Sequence, residues 1–215
     1  MSVLIKIHPQ NPQPRLINQV VEAIRVGGVI VYPTDSCYAL GCQLGNKAAM
    51  DRIRTLRQLD DKHNMTLICR DLSEIATYAI VDNAMFRLLK ANTPGAYTFV
   101  LPATHEVPRR LQHPKRKTIG IRVPDHPIVL ALLEALGEPL VSTTLSLPPT
   151  HTPLHKGEED PLTDPEDIYG RLQHHVDVVV DGGYCGNQPT TVVDFVKGMP
   201  VIAREGKGDV RPFVG

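Results

Sequence analysis

The chain contains no stretch of about twenty apolar residues, the length a helix needs to cross a bilayer, and this excludes a helical membrane span. Its first residues, Met1-Ser-Val-Leu-Ile-Lys-Ile-His8, lack a long apolar region and a small-residue cleavage site, so no secretory signal is expected. The four cysteines, Cys37, Cys42, Cys69 and Cys185, form no C-x-x-C pair. Neither a zinc site nor a disulfide framework is supported, and free thiols in a cytoplasmic protein are the expectation. An excess of one charge is also missing: 23 basic and 23 acidic residues cancel, which argues against indiscriminate nucleic-acid binding through overall charge. Neither G-x-G-x-x-G nor G-x-x-x-x-G-K-[ST] occurs, and the nine histidines show no ligand spacing, so no metal site is assigned. No internal repeat or low-complexity tract is present.

What remains is an ordinary globular composition, 215 residues and 42% hydrophobic, enough for one continuous core. Leu16, Ile17, Val20, Val21 and Ile24 recur at helical spacing, and Gly27-Gly28 closes that helix. Val29–Tyr32 then reads as a strand buried on both faces. Further helices are expected over 47–59, 82–91, 125–137 and from Asp164 to about His175. Strands are expected at 65–69, 97–101, 118–123, 139–143, 176–180, 190–195 and 201–204. Between Leu147 and Thr163 the composition shifts to Pro, Thr, His, Gly and acid, a long loop of the kind that is either a functional lid or disordered. The alternation predicts a single-domain α/β fold, a twisted mixed sheet with helices on its faces, over residues 8–210, with 211–215 as a tail.

Three features carry chemistry. Tyr32-Pro33 ends a buried strand and releases Thr34, Asp35 and Ser36 where open α/β sheets hold ligands. These residues either grip a carboxylate or phosphate, or form a plain turn that satisfies its own backbone. Arg122, near the end of Ile119–Val123, demands a partner: a structural carboxylate, or a ligand anion clamped bidentately. Arg204 repeats the theme on the last strand. Basic residues also crowd Arg109, Arg110, Lys115, Arg116 and Lys117, either a solvated face or a phosphate-binding stripe.

The run Tyr32-Pro-Thr-Asp-Ser-Cys-Tyr-Ala-Leu-Gly41 resembles the Y-P-T-[DE]-[TS]-x-Y-G-L-G signature of the YrdC/YciO family. Thr93–Thr98 resembles its P-G-x-x-T turn, and Ile121–Pro124 its R-V-P strand. Thr190–Asp194 and Arg204-Glu205-Gly206 resemble its T-V-V-D and R-x-G closers. The matches run in family order from about residue 10 to 210, and Arg57–Asp60 with Lys115–Pro124 resembles the YciO branch most. The resemblance implies a fold with a concave positive surface that binds double-stranded RNA or tRNA. In the catalytic branch it implies synthesis of L-threonylcarbamoyladenylate from threonine, bicarbonate and ATP, with Mg²⁺ helping, as a step towards threonylcarbamoyladenosine in tRNA. Carried over, Thr34 and Arg122 contact the threonine part and Arg204 the nucleotide phosphates, with Ser36, Arg57, Ser142 and Thr144 completing the candidate set.

Two family motifs are altered. The catalytic branch has K-x-R where this chain has Arg57 and Leu59, and S-x-N where it has Thr144 and Ser146. Losing a charge-assisted contact and an amide costs a few kcal/mol, about a hundredfold or more in rate. The expectation is a nucleotide- and RNA-binding protein, monomer or homodimer, with ATP and Mg²⁺ as substrate-side partners and no tightly bound cofactor. Its enzymatic alternatives are weak synthase activity or action on the modified adenylate or tRNA. The non-enzymatic ones are an RNA-binding module and a regulator that senses ATP or threonine without turnover.

Overall fold

Apolar spacing makes the first helix, α1 (Pro14–Arg25), bury Ile17, Val20, Val21 and Ile24. In this computed structural model, which describes residues 2–59, 65–147, 162–195 and 198–214, that face lies on a sheet of ten strands. They are β1 (Val3–Lys6), β2 (Ile30–Tyr32), β3 (Ala39–Gln43), β4 (Thr66–Ile68), β5 (Tyr97–Pro102), β6 (Thr118–Arg122), β7 (Leu140–Thr144), β8 (Val178–Asp181), β9 (Thr191–Asp194) and β10 (Val201–Arg204). Their order is β1-β8-β2-β3-β7-β4-β6-β5-β9-β10. The β1–β8, β8–β2, β4–β6 and β5–β9 pairs are parallel and the others antiparallel, so the sheet is mixed as expected. The other helices are α2 (Lys47–Arg57), α3 (Leu72–Tyr78), α4 (Asn83–Asn92), α5 (Pro127–Leu136) and α6 (Pro165–Leu172).

The helices divide unequally between the two faces. Apolar residues of α2, α3, α4 and α6 join Val31, Leu40, Leu67, Phe99, Ile121, Val141 and Val179 in one core. On the other face α1 and α5 pack together over Ile5, Ile30, Tyr32, Ile68, Leu140, Val178 and Val180. Those partners belong to one half of the sheet. Across β6, β5 and β9 no described helix covers that second face, and the alternate strand positions there are Thr98, Val100, Thr118, Gly120 and Val192.

Side-chain caps start the helices where the chain chemistry requires. Asn46, Asp71, Asp82 and Asp164 each accept a backbone N–H of the first turn of α2, α3, α4 and α6. Gly137 ends α5 at φ 78°. Helix α2 stops at Arg57, short of the expected Leu59, because Gln58 adopts a left-handed φ of 52°. The helix expected to reach His175 stops at Leu172, and its strand begins at Val178. Gly41 allows an unusual approach: a Cβ there would lie 2.8 Å from the Tyr32 ring, and the space lets Tyr32 reach across β3 to Ser142.

Three elements were not expected from the sequence: β1, β3 and α3. Strand β1 lies outside the expected 8–210 span yet pairs with β8 from Val3 to Lys6. At the other end Arg211–Phe213 form a short 3₁₀ turn rather than a loose tail. Phe213 is buried, with its ring 5.4 Å from Tyr97 and 6.1 Å from Phe99. Most of the expected 147–163 loop, residues 148–161, lies outside the described residues. Replacing Phe213→Ala is predicted to cost about 3 kcal/mol, as for other buried aromatic truncations. Urea unfolding of the full chain checks it; a loss under about 0.5 kcal/mol would return 211–214 to the status of a tail.

Candidate functional site

The uncovered half-face forms a cavity of about 370 Å³. Its floor is the sheet itself, because Thr66, Thr98, Thr118 and Thr190 fall on the polar side of the strand alternation. Gly120 sits among them, where a Cβ would come within 3.1 Å of Thr66 Oγ1 and 3.5 Å of the Thr98 methyl. The glycine therefore keeps the floor deep. Thr98 and Thr190 share a hydroxyl–hydroxyl bond of 2.8 Å. On the rim, Arg204 donates from Nε and Nη2 to the Thr190 carbonyl at 3.3 and 2.9 Å, and from Nη2 to Thr190 Oγ1 at 3.3 Å. The register of β10 shifts between Ile202 and Arg204. That bulge, with Ala203 the extra residue, aims the arginine at the cavity.

At the Arg122 end of β6 the Thr34 loop meets the cations. Thr34 Oγ1 donates to the Cys37 carbonyl at 2.6 Å and accepts from the Ser36 and Cys37 amides at 3.1 and 3.2 Å. The plain-turn reading of this segment is thus correct for Thr34. It is incomplete, because Arg122 Nη2 also approaches Thr34 Oγ1 at 3.4 Å and pairs with the Asp35 carboxylate. The Arg122 side chain is buried and that of Asp35 partly so, and Arg122 Nε has no partner among the described residues. Lys207 Nζ donates to the Asp35 carbonyl. Three cations, Arg122, Lys207 and Arg204, are close enough to pull the Cys37 thiol down, yet burial outweighs them and pushes it up. Burial also pushes Cys185 up to about 11, with its Sγ 3.6 Å from the Thr34 carbonyl. Burial therefore favours the protonated form of both thiols.

The expected site residues separate into three sets. Thr144 and Arg204 line the cavity. Thr34, Ser36 and Arg122 are gathered beside it, with Ser36 Oγ 3.1 Å from Thr34 Oγ1. Ser142 and Arg57 are not on the cavity wall. Ser142 is buried, bonded to Tyr32 OH at 2.6 Å and donating to the Leu40 carbonyl at 2.9 Å, so its hydroxyl serves the core. Desolvation pushes the Tyr32 phenol up to about 12, which keeps that bond protonated. Arg57 Nη1 donates to the Ser146 carbonyl at 2.5 Å, joining the two positions at which the family motifs are altered. Arg109, Arg110, Lys115, Arg116 and Lys117 are all exposed on the β5–β6 loop, with Arg116 paired to Asp194 at 2.7 Å. The floor threonines and Lys207 were missed. The signal for the former was a threonine alternating with apolar residues, Thr98 between Tyr97 and Phe99 and Thr118 before Ile119, on strands whose opposite face is apolar.

His126, which precedes α5, faces the Asp35–Arg122 pair. Burial holds its imidazole below the usual range, with Arg122 acting the same way and Asp35 opposing. A histidine with a depressed folded pKa binds fewer protons folded than unfolded. Its effect is absent above about pH 6.5 and destabilises increasingly as pH falls below that value. The chain is predicted to lose stability from pH 7 to 5 more steeply than its His126→Gln variant. Denaturation midpoints at both pH values check this, and parallel profiles would refute it.

This fold and site have relatives among known proteins. The YciO protein of Escherichia coli K12, itself uncharacterised, is 60% identical over 214 residues, the full length of both chains. The crystal structure of E. coli YciO superposes with a TM-score of 0.91 at 59% identity, with complete coverage of both. A threonylcarbamoyl-AMP synthase of Vibrio vulnificus is 34% identical over 134 residues, 61% of this chain and 72% of the enzyme. P. abyssi Sua5 complexed with L-threonine shares the fold at a TM-score of 0.81 and 24% identity, over 95% of this chain and 58% of that one. A family model described as telomere recombination, spanning Sua5, YciO and YrdC proteins, matches residues 22–206. The chain belongs to the Sua5/YciO/YrdC family.

Proposed function

We propose that the chain binds threonine and a nucleotide in the threonine-floored cavity and carries out slow threonylcarbamoyl-adenylate chemistry linked to tRNA modification. The observation that carries this reading is the cation set. Arg204 lines the hydroxyl floor, and Arg122 and Lys207 both bond Asp35 in the adjoining loop, which suits a ligand with a carboxylate, a phosphate and several polar edges. The V. vulnificus synthase and the threonine complex of Sua5 support the same choice. Thr34, Ser36 and Arg122 then take the threonine part, while Arg204 and Thr144 take the nucleotide.

Arg57 explains the reduced rate. A cation pointing at ATP phosphates stabilises the charge that develops on pyrophosphate departure. Here Arg57 donates to the Ser146 carbonyl, and Leu59 supplies no charge. Among the described residues no group of three or more His, Cys, Asp or Glu is arranged to hold a metal ion. In this reading Mg²⁺ enters as the companion of the nucleotide phosphates. Pyrophosphate release from ATP, threonine and bicarbonate tests the synthase reading. Turnover above the blank is expected, and Arg204→Ala is expected to raise the KM for ATP tenfold or more. A rate equal to the blank at high enzyme concentration refutes synthesis; release of threonine from threonylcarbamoylated tRNA would then assign the opposite direction.

A second reading, RNA binding, rests on the β5–β6 loop. Arg109, Arg110, Lys115 and Lys117 are exposed and make no ion pair among the described residues. Lys115 and Lys117 lead into Thr118, at the opposite end of β6 from Arg122. Four strand steps of about 3.3 Å separate those ends, roughly 13 Å, so a nucleic acid on the loop lies within reach of the cavity. Binding to tRNA is predicted to weaken with salt, and the triple variant R109E/R110E/K115E to reduce the log–log slope by about 2 to 3. An unchanged slope would remove the loop from the interface.

A further inference from the structure

A second cavity, of about 610 Å³, opens on the far side of the Thr34 loop, at the carboxyl ends of the parallel strands β1 and β8. Ligands of open α/β sheets settle at such strand ends, and the volume lies in the range of small-molecule pockets. The N-terminal ends of α1 and α6 border it. It is separate from the cavity described above and shares no lining residue with it.

Its charges are arranged in an unusual way. Lys6 and Asp181 are register partners in the β1–β8 ladder, so their side chains leave the sheet on the same face. Both line the cavity, and they form no ion pair with each other. Asp181 is only 8% exposed. One of its oxygens accepts the Gly183 amide at 2.9 Å, and no described group bonds the other. The other oxygen is open to the cavity, where it can accept a donor from an entering ligand. Lys6 makes no bond or ion pair through its ammonium among the described residues. His8 adds a donor: its Nδ1 accepts the Gln10 and Asn11 amides at 3.2 and 3.1 Å, which leaves the proton of the neutral ring on Nε2. Glu166 adds a second carboxylate on the α6 side. Asp164 and Tyr184 close the rim, the phenol donating to Asp164 Oδ2 at 3.1 Å.

The cavity thus offers an ammonium with an N–H donor on one side, and on the other a carboxylate with one oxygen open to the cavity and a second acid. We propose that it binds a free α-amino acid as its zwitterion, the ammonium on Asp181 and Glu166 and the carboxylate on Lys6 and His8 Nε2. A ligand with both charges satisfies both sets at once; an anion or a cation alone satisfies one and is repelled by the other. The proposal does not depend on the function assigned to the threonine-floored cavity.

Amide spectra of the full ¹⁵N-labelled chain, titrated with glycine, leucine and threonine and with their N-acetyl and methyl-ester forms, test it. Free amino acids are expected to shift the amides of Lys6, His8, Gly182 and Gly183 saturably. The blocked forms, each lacking one charge, are expected to bind at least tenfold more weakly. Exposed Lys6→Ala is expected to weaken the same shifts tenfold or more while those at Thr34 and Ser36 persist. No shift at these amides with any free amino acid would overturn the proposal, as would blocked forms that bind equally well. Shifts confined to Thr34, Ser36 and Arg122 would overturn it too, while supporting threonine binding in the first cavity.

Discussion

Taking a guanidinium out of water costs several kcal/mol unless a counter-charge meets it, and Arg122 is almost wholly out of water at the end of a central strand. Much of the local structure answers to that demand. Asp35 must lie where its carboxylate reaches Arg122, so the chain leaving β2 turns back on itself at Pro33 and Thr34. The hydroxyl of Thr34 ties that turn through the Ser36 and Cys37 amides. Lys207 then fastens the Asp35 carbonyl from the far end of the sequence, and His126 is held neutral beside the pair. Removing Asp35 strands a buried charge, which costs about 3 to 5 kcal/mol in comparable pairs. The same pair keeps a cation beside the cavity in a fixed orientation, with Nε turned to no protein partner.

The second constraint is the unequal dressing of the sheet. One face is closed by α2, α3, α4 and α6, whereas α1 and α5 close only part of the other. Strands covered on both sides carry Val, Ile and Leu, as in Val178–Val180. Strands of the uncovered part keep the apolar residues Phe99, Leu101, Ile119 and Ile121 on the closed face and turn threonine and glycine to the open one. The cavity is therefore a product of helix placement, and its polarity is the ordinary consequence of strand alternation in a half-covered sheet.

Most of this architecture could be read from residue patterns where the patterns were long. The amphipathic spacing of α1, the apolar residues of α4, the glycine after α5 and the capping acid of α6 located those elements to within a few residues. Short elements escaped. Four residues are too few for β1 to show a period, and the Ala-Leu-Gly-Cys-Gln run of β3 has no β-branched residue; tertiary pairing places them. Likewise Ser142 was expected among the site residues, but its hydroxyl belongs to Tyr32 because Gly41 opens a path for that ring across β3. No local pattern reports an approach between residues a hundred positions apart. Arg122 was legible as a buried cation in need of a partner, while the identity of that partner, Asp35, needed the fold.

The threonine floor has one further property. A hydroxyl turns about its C–O bond and either donates or accepts without moving a heavy atom. Thr98 and Thr190, already sharing a bond in which either oxygen serves as donor, can reverse their polarity together. The sheet below them is rigid, so the cavity is strict about the outline of what enters. At Thr98 and Thr190 it therefore meets either a donor or an acceptor by proton rearrangement, while the Arg204 rim stays a donor.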